Sequence, residues 1–220
     1  ERPNQYHKNL RFNLINTVKT LLKGGSIRGD AAQIYAYQFV TLGLGLIGGV
    51  IVARTLGPAD KGVFDLFNLI NSFIVELGLL GFGSGLLYYL ANKGKSLSEV
   101  HGTGLFFSLG IGMLTAVVGW VGLPLWKKCF PGLDDWIIML AFFLAPIAYY
   151  RLIWANIMTG INQAVATYKV SFVFSVVSLL SIFILLIFGH LTVKEIIILT
   201  ASLSVVNGVV AFGLLHKREP

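Results

Sequence analysis

Apolar residues in this chain come in long blocks separated by short polar punctuation, with no strict alternation of apolar and polar positions. A hydrocarbon core of ~30 Å is crossed by about 20 helical residues at 1.5 Å rise each. Six blocks reach that length: residues 34–53, 63–91, 102–126, 136–158, 170–188 and 196–215. Membrane β-strands would be shorter and would alternate. The breaks carry turn formers: Gly57-Pro58, Asn92-Lys93-Gly94, Pro131-Gly132, Gly160-Ile161-Asn162 and Gly189-His190. The pattern predicts an all-α polytopic membrane bundle of six transmembrane helices, up and down, with sequential helices as neighbours.

Residues 1–33 precede the first block. There Leu10, Leu14, Val18, Leu21 and Leu22 share one helical face, with Lys19 and Lys23 opposite. This segment is expected to be a basic amphipathic helix lying on anionic membrane lipids. It does not read as a signal peptide, because the apolar run starts late and is long enough to span. The expected division is therefore an amphipathic segment 1–33, a six-helix lobe 34–215, and a tail or linker start 216–220.

Composition supports membrane insertion. Only 12% of the 220 residues are charged, about half the share in soluble domains. The net charge of +7 sits in clusters between apolar blocks, a polytopic pattern that suggests no nucleic-acid groove. With an intracellular amino terminus, twelve Lys and Arg face the cytoplasm and five face outward. Both termini are accordingly expected in the cytoplasm, in a multi-pass protein of the cytoplasmic (inner) membrane. The single Cys129 excludes an internal disulfide framework and a multi-thiolate metal site.

Charges at membrane depth are costly and mark candidate function. Three occur: Asp65, Glu76 and Arg151. Asp65, Asn68, Ser72, Glu76 and Gly83 share one stripe of the second helix, which must face protein or a hydrated cavity. That stripe is either a structural seam or a pathway lining with Glu76 protonatable or cation-binding. Arg151 lies in the inner third of the fourth span, beside Tyr149, Tyr150 and Trp154. It either snorkels to the surface or offers a cation to a cavity, paired with Glu76 or open to an anionic head group. Ser171, Ser175 and Ser178 stack on one side of the fifth helix and are read as helix–helix glue. The GxxxG patterns Gly45/Gly49 and Gly81/Gly85 are read as close packing. No HExxH, Walker motif or metal-spaced acid pair is present, and Phe82 breaks the nucleophile-elbow pattern around Ser84. Neither an enzyme nor a cofactor is expected.

Residues 43–94 resemble the first two helices of the polysaccharide (O-antigen and exopolysaccharide repeat-unit) flippases, within the multidrug/oligosaccharidyl-lipid/polysaccharide exporter superfamily. The features that carry this are Ala53-Arg54, Leu56-Gly57-Pro58, Asp60-Lys61-Gly62, Val63-Phe64, Leu77-Gly78 and Tyr89-Leu90-Ala91. The resemblance implies one lobe of a two-lobe, alternating-access transporter that moves an undecaprenyl-pyrophosphate-linked oligosaccharide between leaflets. It implies substrate contact at Arg151 and Arg54, with Tyr150 and Trp154 beside them, and coupling-ion (H+ or Na+) binding at Glu76 and Asp65. The chain covers about half the family's usual length, so a second six-helix lobe or a homodimer is the implied partner. Two alternatives stay open: a cation-coupled multidrug exporter of the same superfamily, and a non-transporting membrane scaffold or assembly subunit.

Overall fold

A computed structural model describes residues 27–79, 81–92, 96–189 and 191–216. The amphipathic face drawn for Leu10 to Lys23 and the tail 217–220 lie outside the described residues. The described residues form helices only: α1 (Ile27–Leu79), α2 (Phe82–Asn92), α3 (Leu97–Val121), α4 (Leu123–Cys129), α5 (Asp135–Phe143), α6 (Ala145–Gly160), α7 (Ala164–Ile187) and α8 (Val193–His216). Five of the helical runs are long and apolar enough to cross a membrane, with α5 and α6 counted together.

The first run is continuous only by hydrogen-bond pattern. Gly57 has φ 75° and ψ 176°, and Pro58 follows it, so the helical ladder breaks where the sequence supplies a residue without Cβ and one without N–H. Residues on both sides, Gly45 and Ser72 among them, line a single cavity. In an unbroken helix those two would stand about 40 Å apart, so the chain turns at Gly57 into two limbs. Nothing lies within 4 Å of a Cβ built at Gly57, so Gly57→Ala should cost only the backbone strain, on the order of 1–2 kcal/mol. Thermal unfolding in detergent measures it, and an unchanged midpoint would show that the limbs reorient freely there.

Other ends follow local chemistry. Ser96 caps α3, its hydroxyl accepting from the Glu99 N–H at 3.2 Å. Thr192 and Glu195 form a capping box before α8, with the Glu195 carboxylate accepting from the Thr192 N–H at 3.0 Å. The fourth apolar block divides at Leu144, because Pro146 opens α6. The second divides at Gly81, with φ 82°.

α1 packs most extensively on α7, and α3 on α6. The main core joins the second limb of α1 (Phe67, Ile70, Ile74) with α5 and α6 (Ile138, Ala141, Ile153, Ile157). Tyr149 knits it together: it is fully buried, its hydroxyl donates to the Ile74 carbonyl at 2.9 Å, and it lies 3.1 Å from Thr115 Oγ1. The first limb and α7 lie outside this core. Only Thr167 of α7 is buried, while Phe39, Leu46, Leu180 and Ile187 are exposed. Such apolar exposure fits lipid contact.

Close packing relies on glycines other than the two expected GxxxG patterns. Cβ atoms at Gly45, Gly49 and Gly85 would meet nothing within 4 Å, and Gly81 serves its positive φ instead. Three of the tight contacts fall on one stripe of α3: Gly104 against Ile153, Gly112 against Pro146 and Gly119 against Phe142. Buried Ser108 continues the same stripe.

Candidate functional site

The two helical groups meet across a cavity of about 670 Å³. The first limb of α1 and α7 wall one side of it. The second limb, α6 and α8 wall the other. Gly45 and Gly49 line it, so the absent side chains of that GxxxG keep space open rather than bring helices together.

Its polar lining comes from four stripes. The second limb gives Asn68, Asn71, Ser72 and Glu76, and α6 gives Arg151. Helix α7 gives Ser171, Ser175 and Ser178, and α8 gives Thr200, Ser204 and Asn207. The serines of α7 thus border the cavity instead of gluing helices. The α8 set was not singled out from sequence, although its spacing of four and three is a helical stripe of the same kind as that of the second limb.

Arg151 does not snorkel toward the near end of its helix. α6 and α8 run in parallel register, since Gly208 abuts Ile147 and the Phe212 ring lies 6.1 Å from that of Tyr150. Arg151 Nη1 nevertheless donates to Ser204 Oγ at 3.2 Å, a position about two turns back toward the start of both helices. Helical side chains lean toward the helix N-terminus, and this one carries its charge into the cavity. Glu76 belongs to the same level: the contacts of Tyr149 with Ile74 and Gly78 set residues 74–78 beside 149. Its side chain is exposed to the cavity. No ion pair joins Glu76 and Arg151 among the described residues.

The other expected site residues lie elsewhere. Tyr150 is buried on the opposite face of α6, 3.0 Å from His101 Nε2. Trp154 is buried in the main core, and its indole N–H has no acceptor among the described residues. Both lie close to Arg151 in sequence, yet the cavity takes only the 148/151 edge of α6. Arg54 is exposed and does not line the cavity, and Asp65 is exposed and paired with Lys61 one turn earlier. The stripe from Asp65 to Glu76 therefore enters the cavity only from Asn68 onward. Gly83 lies outside the lining as well, packed against Asn156.

No family model, curated protein or solved structure matches this chain.

Among the described residues no cluster of His, Cys, Asp or Glu is arranged to hold a metal. Several lining side chains spend a donor on their own helix. Ser72 donates to the Asn68 carbonyl at 3.0 Å, Asn71 to Phe67 at 2.9 Å, Ser175 to Ser171 at 2.9 Å and Thr200 to Ile196 at 2.8 Å. Turned inward in this way, hydroxyls present oxygen lone pairs to the cavity. The result is a hollow whose walls are mostly apolar but carry stripes of hydroxyl and amide groups, with one guanidinium and one carboxylate.

Proposed function

We propose that the chain is the amino-terminal lobe of a flippase that carries an oligosaccharide linked to a lipid pyrophosphate across the cytoplasmic membrane by alternating access. The observation that carries this reading is the cavity: a chamber with polar stripes on mostly apolar walls, with the Arg151 guanidinium held inward by Ser204. A guanidinium in that position binds phosphate oxygens with charge-assisted hydrogen bonds. The surrounding hydroxyl and amide groups suit a sugar, while the exposed outer faces of α1 and α7 accommodate lipid. Glu76 takes the coupling cation. Arg54, exposed near the Gly57 turn, and Asp65, paired with Lys61, lie outside the cavity lining and take no binding role in this reading. A second six-helix lobe, or a second copy, completes the chamber, as expected where a transport site lies between repeats.

Six crossings, with both ends in the cytoplasm, belong to this reading. Tyr37 lies 5.7 Å from Phe172, and a Cβ at Gly48 would meet Leu179 and Ile182, so the first limb and α7 run parallel. Parallel alignment is what results if the two limbs of α1 cross separately. If α1 crossed once, α7 would run antiparallel to it.

A cation-coupled exporter of cationic amphiphiles is the second reading, favoured by Glu76 among oxygen acceptors. One experiment separates the two. Reconstituted in liposomes, the protein should move a fluorescent lipid-linked oligosaccharide between leaflets, read by a membrane-impermeant quencher. Ser175→Trp, which fills the cavity from the α7 side, should abolish transfer and leave thermal unfolding unchanged. Transfer at the protein-free rate, with expulsion of a lipophilic cation instead, overturns the flippase reading in favour of the exporter.

A further inference from the structure

Helices α6 and α8 turn one face to the polar cavity and the other to a second hollow that shares none of its residues. This groove, about 250 Å³, lies between α3, α6 and α8. Leu105, Leu109, Ile147, Val205 and Val209 form its walls. Its floor is Gly208 and the buried Ser108, whose hydroxyl donates to the Leu105 carbonyl at 2.9 Å. The surface is thus almost wholly carbon. Its rim residues Leu109 and Val209 are exposed. An apolar trough open to a bilayer offers water no partners, so hydrocarbon fills it.

The trough has a direction. In the parallel register of α6 and α8 it follows the helices from Val205 to Phe212, about 10 Å along the axis. At the Phe212 end its chemistry changes. The Tyr150 hydroxyl meets His101 Nε2 at 3.0 Å, and Phe212 lies 5.8 Å from the His101 ring and 6.0 Å from the parallel ring of His216. Helix α8 ends at His216, and the next two residues in sequence are Lys217 and Arg218. A helix, some 10–12 Å across with its side chains, is too wide for a slot of this volume, whereas a single hydrocarbon chain fits.

We infer that this groove seats one acyl chain of an anionic membrane phospholipid, with the phosphate at the His101/His216 end in the leaflet where α8 terminates. Basic residues at a helix end attract anionic head groups, and the slot aligns the chain with the bilayer normal. The inference stands apart from the transport reading, since filling this groove leaves the cavity intact.

Native mass spectrometry of the detergent-solubilised protein tests it, with phosphatidylglycerol or phosphatidylcholine added in equal amounts. The unmodified protein should retain one phosphatidylglycerol with roughly tenfold preference. Val209→Trp, or Leu109→Trp from the opposite wall, should remove that retention. His216→Ala should lower the preference and keep acyl-chain binding. Equal retention of the two lipids by the unmodified protein overturns the proposal. So does retention unchanged by both tryptophan variants, and so does a change of oligomeric state in them with lipid retention intact, which would give the groove to a second copy of the chain.

Discussion

Arg151→Ala is expected to weaken binding of the lipid-linked oligosaccharide by about 10- to 100-fold. A hydrogen bond to a charged group contributes about 1.5–3 kcal/mol, and each 1.4 kcal/mol is a factor of ten in affinity. The loss should exceed that of Arg151→Lys, because an ammonium restores the charge without the planar fork. Ser204→Ala separates position from charge: it leaves the guanidinium present and removes the hydroxyl that draws it inward. Its effect should fall between those of the other two. Titration of the substrate onto the protein in nanodiscs reads all three. Unchanged affinity in Arg151→Ala would make the residue a packing element of α6 and remove the head-group role.

Gly112→Ala is expected to be the most destabilising single methyl that can be added to the described fold. A Cβ there would stand 2.4 Å from the Pro146 Cα. The obstacle is backbone, fixed further by the proline ring, so α3 and α6 must separate rather than one side chain rotate. Overpacking of this kind costs about 1–3 kcal/mol and occasionally more, and about 2–4 °C of Tm accompany each kcal/mol in a chain of this size. Gly45→Ala is the control, since it adds the same methyl to open space and should leave Tm unchanged. A similar loss in both variants would show that helix propensity or lipid contact, not the α3–α6 approach, sets the effect.

The helices were largely legible in the sequence because hydropathy blocks report bilayer thickness directly. Pro58 and Gly57 marked the sharpest turn, and Asn162 and Gly189, both with positive φ, fall in expected breaks. Subtler boundaries follow smaller signals: Ser96 with Glu99 starts α3 five residues before its block, and Pro146 divides the fourth block. Glu76 and Arg151 stood out as ions inside oily segments, and the fold brings both to one cavity. Sequence did not show which faces pair. Tyr150 and Trp154 are close to Arg151 in sequence, yet α6 is surrounded, so nearby positions reach different neighbours. Small-residue spacing was ambiguous for the same reason. Gly45 and Gly49 satisfy the GxxxG pattern and border a void, whereas Gly104, Ser108, Gly112 and Gly119 form the working contact without that exact pattern.

The inward-turned hydroxyls of the cavity have a consequence for selectivity. Ser72, Ser175 and Thr200 each commit their hydroxyl proton to their own helix, so at these positions a guest meets oxygen lone pairs, while the amides of Asn68 and Asn207 and the second N–H of Asn71 still offer protons. A polyol can donate at many points along such a wall. Its fully methylated ether, similar in skeleton but stripped of every hydroxyl proton, loses those donations and can only accept, from the guanidinium and from the lining amides. Discrimination in this chamber therefore depends on a guest's proton supply as well as on its size and charge.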